Sequence, residues 1–315
     1  MKNICIIGCG DIAKSHAKIL QGKARLYFYS QKLASAQRFQ KTFHGHGTFE
    51  SFEAVLADQN IHALLICSPP QAHKDQIIQA LQAGKHVLVE KPFVCSQDEL
   101  KEVQQSAARH KNQWVMVAEN YHYKSSLAKL KKIISSDVIG SVQKVFIRKM
   151  FTQPSPGWKS EYGALFEGGI HFIAFLSELM HGKAPISIQA NFPSDSKPER
   201  TSHLVLNYDQ GVQAHIDYSW ETPHWLQGVL QHSHVVGEKG VITFESNGLY
   251  IQTPNGFKFG GLKDLSGRKK MLDNFLDCLN NPTQQPSYGL EAASRDMNIV
   301  FQAYSHGQTV PRIQK

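Results

Sequence analysis

Between a short apolar run and a run of helical period, the chain carries Gly8-Cys9-Gly10-Asp11-Ile12-Ala13, a G-x-G-x-x-A spacing. Glycines so placed permit a tight strand-to-helix turn and let a pyrophosphate approach backbone N–H groups at the helix start, while Ala13 allows close packing of the helix. Gly8, Gly10, Asp11, Ile12 and Ala13 are therefore candidates for holding a dinucleotide. Its type is decided after the second strand, where an acid would grip a ribose 2′-hydroxyl and a small or basic group would admit a 2′-phosphate. That stretch reads Tyr29-Ser30-Gln31-Lys32, without a carboxylate, so Ser30 and Lys32 point to NADP ahead of NAD. Cys67-Ser68-Pro69-Pro70-Gln71-Ala72-His73 follows another apolar run, and its prolines exclude helical continuation there. Ser68 and Pro69 can pass beneath a cofactor, whereas His73 can serve a ligand or the loop's own backbone. Lys91 follows the run at 86–90, with Pro92 fixing the chain beyond it, and offers an ammonium to the same edge.

These residues need a scaffold that brings strand ends together. Apolar runs at 4–7, 26–29, 63–67, 86–90 and 114–117 alternate with helical periods at 12–20, 33–43, 72–83 and 98–110. Unbroken apolar strands alternating with helices predict a doubly wound parallel sheet covered on both faces, with ligands at the carboxyl ends of its strands. After a connecting helix near 125–134 the pattern changes to longer alternating runs at 142–150, 186–192, 203–208, 213–220, 229–236, 241–245 and 249–253. Turn signals separate them, among them Asn247-Gly248 and Asn255-Gly256. This predicts a large, mainly antiparallel sheet, with helices at 170–180, 269–279 and 290–304 and a solvated loop at 193–198. The fold class is α/β: a dinucleotide-binding domain over 1–120, then an α+β domain over 121–315 for substrate binding and oligomerisation.

A chain of 315 residues exceeds one ordinary core, and 41% apolar with 19% charged residues places it among globular proteins. The first apolar run is too short for a signal core or a membrane span, so a cytoplasmic protein without membrane contact is expected. The formal charge of +8 comes from scattered Lys and Arg with no nucleic-acid motif, so a phosphate-bearing ligand accounts for its sign and no nucleic-acid partner is expected. Five cysteines form no C-x-x-C pair, and four of them lie in or beside strand-like apolar runs and read as buried hydrophobes. His44-x-His46 and His232-x-His234 have metal-ligand spacing, yet a loop and strand alternation explain them; no metal is expected.

Taken together, the glycine fingerprint, the Ser68-Pro69 loop with His73, the block from Ala83 through Gly84-Lys85-His86-Val87-Leu88-Val89-Glu90-Lys91-Pro92, Glu119-Asn120-Tyr121-His122-Tyr123, and Gly168-Gly169-Ile170-His171 resemble the glucose-fructose oxidoreductase, inositol dehydrogenase and rhizopine-catabolism (Gfo/Idh/MocA) family nearly end to end. The resemblance implies an NAD(P)-binding domain joined to an open-faced sheet domain, a sugar, polyol or sugar-nucleotide substrate, and a homodimer or homotetramer built through the sheet. It also implies catalytic roles for Lys91 and His171, with Glu167 as the acid preceding that histidine, and adds Glu90 and Asn120 to the cofactor-binding candidates. Many members carry aspartate where this chain has Glu167 and a further acid where it has Ala174, and 158–163 stands in place of a longer glycine-rich loop.

Glu167 and His171 are four residues apart and share a face if the segment is helical. A neighbouring carboxylate favours the protonated imidazole and steers it. His171 can then take a hydroxyl proton while Lys91 stabilises developing alkoxide charge. Tyr121, Tyr123, Trp158 and Tyr162 can shape a sugar pocket; Tyr218, Trp220 and Trp225 follow later, in positions that serve packing or an interface equally well. The expected function is NAD(P)-dependent oxidation or reduction of a carbohydrate-like secondary alcohol or ketone. An NAD-dependent glycosidase and a non-catalytic NAD(P)-binding sensor are the alternatives.

Overall fold

The computed structural model describes residues 1–154, 157–194, 196–260 and 264–306. Asp195 of the expected loop and the side chain of Trp158 lie outside the described residues. The chain divides into two compact units, Met1–Glu119 with Arg268–Ser294, and Asn120–Gly267 with Arg295–Lys315.

In the first unit, β1 (Asn3–Ile7), α1 (Asp11–Leu20), β2 (Arg25–Tyr29), α2 (Leu33–Thr42), β3 (Gly47–Phe49), α3 (Phe52–Ala57), β4 (Ala63–Ile66), α4 (His73–Gln82), β5 (His86–Val89), α5 (Gln97–Arg109) and β6 (Val115–Val117) follow in order. The six strands form one parallel sheet in the order β3-β2-β1-β4-β5-β6, the doubly wound arrangement with its reversal between β1 and β4. Every residue of β1 and β4 is buried, as helices on both faces require of unbroken apolar strands. β3 and α3 have no counterpart in the sequence reading. β3 is three half-buried residues long, and α3 is a six-residue helix whose signal is a cap, Ser51 Oγ accepting from Ala54 N at 3.0 Å.

The second unit contains α6 (Ser125–Ile134), β7 (Val142–Met150), α7 (Ile170–Leu179), β8 (Ser187–Asn191), β9 (Thr201–Asn207), β10 (Gln213–Ser219), β11 (His232–Gly237), β12 (Gly240–Glu245), β13 (Tyr250–Thr253) and β14 (Gly256–Phe259). Its sheet runs β14-β13-β12-β11-β7-β10-β9-β8, antiparallel except where β10 pairs with β7. One face packs on α7 through residues such as Phe244, whose ring stacks on Phe175 at 5.6 Å. The other presents Phe146, Arg148, His203, His215 and Asp217. The strand expected from 229 begins only at His232, because Leu230 has φ +62° and its N–H turns to Glu245 Oε1 at 3.1 Å instead of joining the ladder. β14, an exposed edge strand, was not expected.

The chain then returns to the first unit with α8 (Arg268–Asn280) and the start of α9 (Leu290–His306). α8 packs against α1, Phe275 meets the edge of Trp114 at 5.7 Å, and Val117 N donates to Tyr288 O at 3.3 Å beside β6. The return amends the expected division into 1–120 and 121–315, since burying the apolar side of β6 takes residues from far along the chain. Asn120 likewise counts with the second unit. No helix among the described residues is long and apolar enough to cross a membrane.

Candidate functional site

In the first unit the candidate residues emerge from the carboxyl ends of β1, β4 and β5, which are adjacent in the sheet. Gly8 has φ +90°, and a Cβ there would stand 2.9 Å from the backbone of Cys67 and Ser68, so only glycine lets the turn after β1 lie against the loop after β4. Gly10 differs: a Cβ would meet nothing within 4 Å. It occupies the N-cap of α1 without any side-chain cap, and Asp11 and Ile12 at the helix start are not buried, whereas Ala13 is fully buried in the packing. A helix start with a clear approach and N–H groups unclaimed by side chains fits a dinucleotide pyrophosphate.

His73 is buried in the turn after β4, with Nδ1 2.9 Å from Pro92 O and Nε2 2.8 Å from Ser68 O. It therefore ties the Ser68-Pro69 loop to the Lys91-Pro92 loop, and the backbone is its partner. Burial lowers its pKa, against the upward pull of the two carbonyls. Ser68 Oγ donates to Gln76 Oε1 at 2.6 Å, and Pro69 is exposed. Glu90, at the end of β5, receives His16 Nε2 of α1 at 2.5 Å. Burial alone would push this carboxyl up, but the His16 hydrogen bond and the charges of His16, Lys91 and Arg268 hold it below the ordinary value. Lys91 follows, half-buried, with a cis peptide to Pro92.

Ser30 and Lys32 follow β2 as expected, Ser30 half-buried and Lys32 exposed at the start of α2. Two basic residues of this region escaped the sequence reading. Burial pushes the Cys9 thiol up to about 12, against the lowering charge of Arg38 of α2. Arg268 Nη1 lies 3.4 Å from Ser15 Oγ of α1. Arg38 could have been found as a basic residue on the helix after β2; Arg268, 253 positions from its partner, could not.

In the second unit Glu167 and His171 do lie on one continuous helical segment, but Leu165–Gly169 is a π turn leading into α7. Glu167 is buried and His171 half-buried. The imidazole stacks on Tyr121 with centroids 4.6 Å apart and planes at 13°, and Tyr121 in turn meets Phe172 edge-on at 5.3 Å. Lys124 Nζ lies 3.6 Å from the Tyr121 ring centroid and donates to Asn247 O at 2.9 Å. Gly168 is required by Tyr218: a Cβ would fall 2.0 Å from the phenol oxygen. Tyr218 is buried beneath this turn and accepts from Trp220 Nε1 at 2.8 Å. Burial, then the nearby Tyr121 and Glu167, push its pKa well above the ordinary phenol value. Tyr218 and Trp220 are packing residues here, while Trp225 is 81% exposed in a loop. Tyr162 stacks on Phe166 at 5.1 Å, and Asn120 Nδ2 donates to Ser266 O at 2.5 Å. Ala174 is fully buried in α7.

His46 meets the Tyr27 ring at 6.0 Å, and His234 Nδ1 lies 3.0 Å from Thr243 Oγ1. Among the described residues, no group of three His, Cys, Asp or Glu is disposed to hold a metal ion.

Residues 2–119 match the profile of an oxidoreductase family with an NAD-binding Rossmann fold, Gfo/Idh/MocA, and residues 127–243 match the Gfo/Idh/MocA C-terminal domain. A glucose-6-phosphate 3-dehydrogenase of Bacillus subtilis is 34% identical over 66% of this chain and 62% of its own length. The chain thus spans somewhat less than two thirds of that relative. An inositol 2-dehydrogenase of Rhizobium meliloti is 25% identical over 82% of this chain and 81% of its own. Among solved structures, an oxidoreductase from Agrobacterium radiobacter superimposes with a TM-score of 0.86 at 16% identity, covering 97% of this chain and 96% of that one. A 3-ketoreductase from Actinomadura kijaniata gives 0.81 at 18% identity, covering 99% of each. These two likenesses carry the fold. With a parallel dinucleotide-binding sheet, its Glu90-Lys91-Pro92 block, and both family profiles matched in sequence order, the chain belongs to the Gfo/Idh/MocA family.

Proposed function

We propose that the protein is an NAD(P)-dependent oxidoreductase acting on a secondary alcohol or ketone of a sugar, polyol or sugar nucleotide, with NADP preferred. The observation that carries the reading is the convergence of the glycine turn, the Ser68 loop and Glu90-Lys91 at the ends of three adjacent strands, beside a helix start with no side-chain cap. Gly8, Gly10, Asp11, Ile12 and Ala13 would hold the pyrophosphate. Ser30 and Lys32, with Arg38 of α2, would take a 2′-phosphate, and Ser68, Pro69, Glu90, Lys91 and Asn120 would line the remainder. His73 shapes this site by fixing the two loops. The nicotinamide, when bound, accepts or supplies the hydride.

The chain's own part is protonic and electrostatic. Lys91 Nζ steadies negative charge on the substrate oxygen, and the His171 imidazole takes or returns its proton, kept in orientation by Glu167 and by stacking on Tyr121. This requires Lys91 and His171 to serve one substrate. The relatives' names make glucose 6-phosphate and inositol the first compounds to try. Purified protein should oxidise one of this class with NADP, and Lys91→Ala should abolish turnover while NADPH binding persists. Loss of NADPH binding in that variant would overturn the assignment of Lys91 to the chemical step; release of a cleaved glycoside without net NADPH would identify a glycosidase instead.

The reading extends to a homodimer or homotetramer formed on the outer face of the large sheet, where Phe146 stands exposed and stacked on His215 at 4.8 Å. Phe146→Asp should lower the mass measured by light scattering towards that of one chain.

A further inference from the structure

The helical segment bearing Glu167 and His171 starts at Ala164, and the first N–H groups of any helix have no acceptor within it. Here each of the first three is met from outside. Ala164 N donates to the backbone carbonyl of Glu199 at 2.9 Å. Leu165 N donates to Glu199 Oε1 at 2.9 Å. Phe166 N donates to Tyr304 Oη at 3.3 Å, and that hydroxyl donates to the same Glu199 Oε1 at 2.9 Å. Glu167 N is the first to find its own segment, bonding Gly163 O at 3.1 Å.

The seat of this carboxylate is tightly shaped. A Cβ on Gly163 would fall 1.8 Å from Glu199 Oε2, so the acid lies directly against the Gly163 backbone. Tyr304 is held by its ring, stacked on Phe192 at 5.2 Å and 17°. Glu199 comes from the stretch before β9 and Tyr304 from the end of α9, so two distant parts of the second unit close on one helix start.

We propose that Glu199, assisted by Tyr304, is a positioning residue: it caps the segment from outside, and so fixes the π turn and the orientation in which Glu167 and His171 are presented. The geometry of the cap stands alone; its bearing on catalysis rests on the reading of His171 given above. A carboxylate placed at the N-terminus also meets the positive end of the helix dipole, which opposes the protonation that burial favours.

The test uses the full chain in three variants. Glu199→Ala removes the carboxylate acceptor but not the backbone carbonyl, Glu199→Gln keeps an oxygen in its place, and Tyr304→Phe deletes one hydroxyl. In Glu199→Ala, hydrogen exchange of the Leu165 and Phe166 amides should quicken about tenfold, the effect of losing a helix cap, while amides of β1 and β4 keep their rates. The imidazole nitrogen resonances of His171, assigned by comparison with His171→Gln, should shift in Glu199→Ala and return in Glu199→Gln. Should Glu199→Ala fail to fold, Tyr304→Phe must quicken the Phe166 amide and move the same resonances. Unchanged exchange overturns the cap, and changed exchange with unmoved His171 resonances overturns the positioning role. A wild-type protein inactive on every sugar would leave both readings of the cap intact and count only against the proposed activity.

Discussion

The two helix starts that matter to the proposed site are treated in opposite ways. α1 begins at Gly10 with no side-chain cap and open space beside the glycine, whereas the segment carrying Glu167 and His171 has its first three N–H groups taken by Glu199 and Tyr304. Both starts face the same physical requirement, that orphan donors find acceptors. In the proposed reading the first leaves the requirement to be met by a ligand's phosphate oxygens; the second meets it with the protein itself. A helix start that receives a ligand needs a clear approach, while one that aims side chains needs to be fixed. The glycines follow suit: Gly10 is open, but Gly163 and Gly168 are filled against neighbours.

The largest effect that would break this contrast is at Gly168. Gly168→Ala places a Cβ 2.0 Å from Tyr218 Oη, so it should destabilise the second unit by about 2–4 kcal/mol, read as a lowered urea midpoint. An unchanged midpoint would mean that the turn is not held as tightly as described. A comparable pair lies in the first unit. Gly8→Ala should both destabilise the fold and abolish NADPH binding, since its Cβ meets backbone 2.9 Å away at φ +90°. Gly10→Ala has space for its Cβ and a φ of −95°, so it should leave the thermal midpoint in place while weakening NADPH by about tenfold or more, because the methyl occupies the phosphate's approach. Equal midpoints with equal affinity would show that the open helix start is not where the dinucleotide lies.

The smallest effect is in pH dependence, and it has opposite signs in the two units. His16 and its neighbours hold Glu90 below its ordinary 4.5, so its stabilisation is complete above that value and is lost as pH falls through the lower folded value. Glu199 is raised from the same 4.5 by burial, against the Leu165 and Tyr304 hydrogen bonds. The folded state then binds its proton more readily than the unfolded one, so its contribution is complete below 4.5 and is lost as pH rises through the higher folded value. Urea midpoints followed from pH 3 to 8 should therefore lose part of their acid-side fall in Glu90→Gln, and lose part of their fall on the other side in Glu199→Gln. Matching profiles for both variants would contradict the different environments of the two acids.

How much of this was legible in the sequence follows from distance along the chain. The runs that become β1, β4 and β5 are short and wholly apolar, and the residues after them sit where strand ends meet, so the glycine turn, the Ser68 loop and Lys91 could be read from local pattern alone. The cap could not. Leu165 and Glu199 are 34 positions apart and Phe166 and Tyr304 are 138, and nothing in the local spacing of an isolated glutamate and a tyrosine near the end of a helix marks them as acceptors. The same holds for Arg268 beside Ser15 and for the return of α8 to the first unit. β3 and β14 were missed for another reason: neither has a fully buried residue, so the apolar signal that reveals a strand is absent. Leu230 shows the converse, an apolar residue whose left-handed backbone keeps it out of the strand that its type suggests.

The most direct test of a shared substrate is a double-mutant cycle on the hydride-transfer rate, with Lys91→Ala, His171→Ala and the double variant assayed in single turnovers with saturating NADPH. If both groups act on one oxygen, removing the second after the first should cost far less than removing it from the wild type, giving a coupling of about 1.5 kcal/mol or more. Losses that simply multiply, with no coupling, would mean that the ammonium and the imidazole serve different places, and would contradict the proposed division of labour.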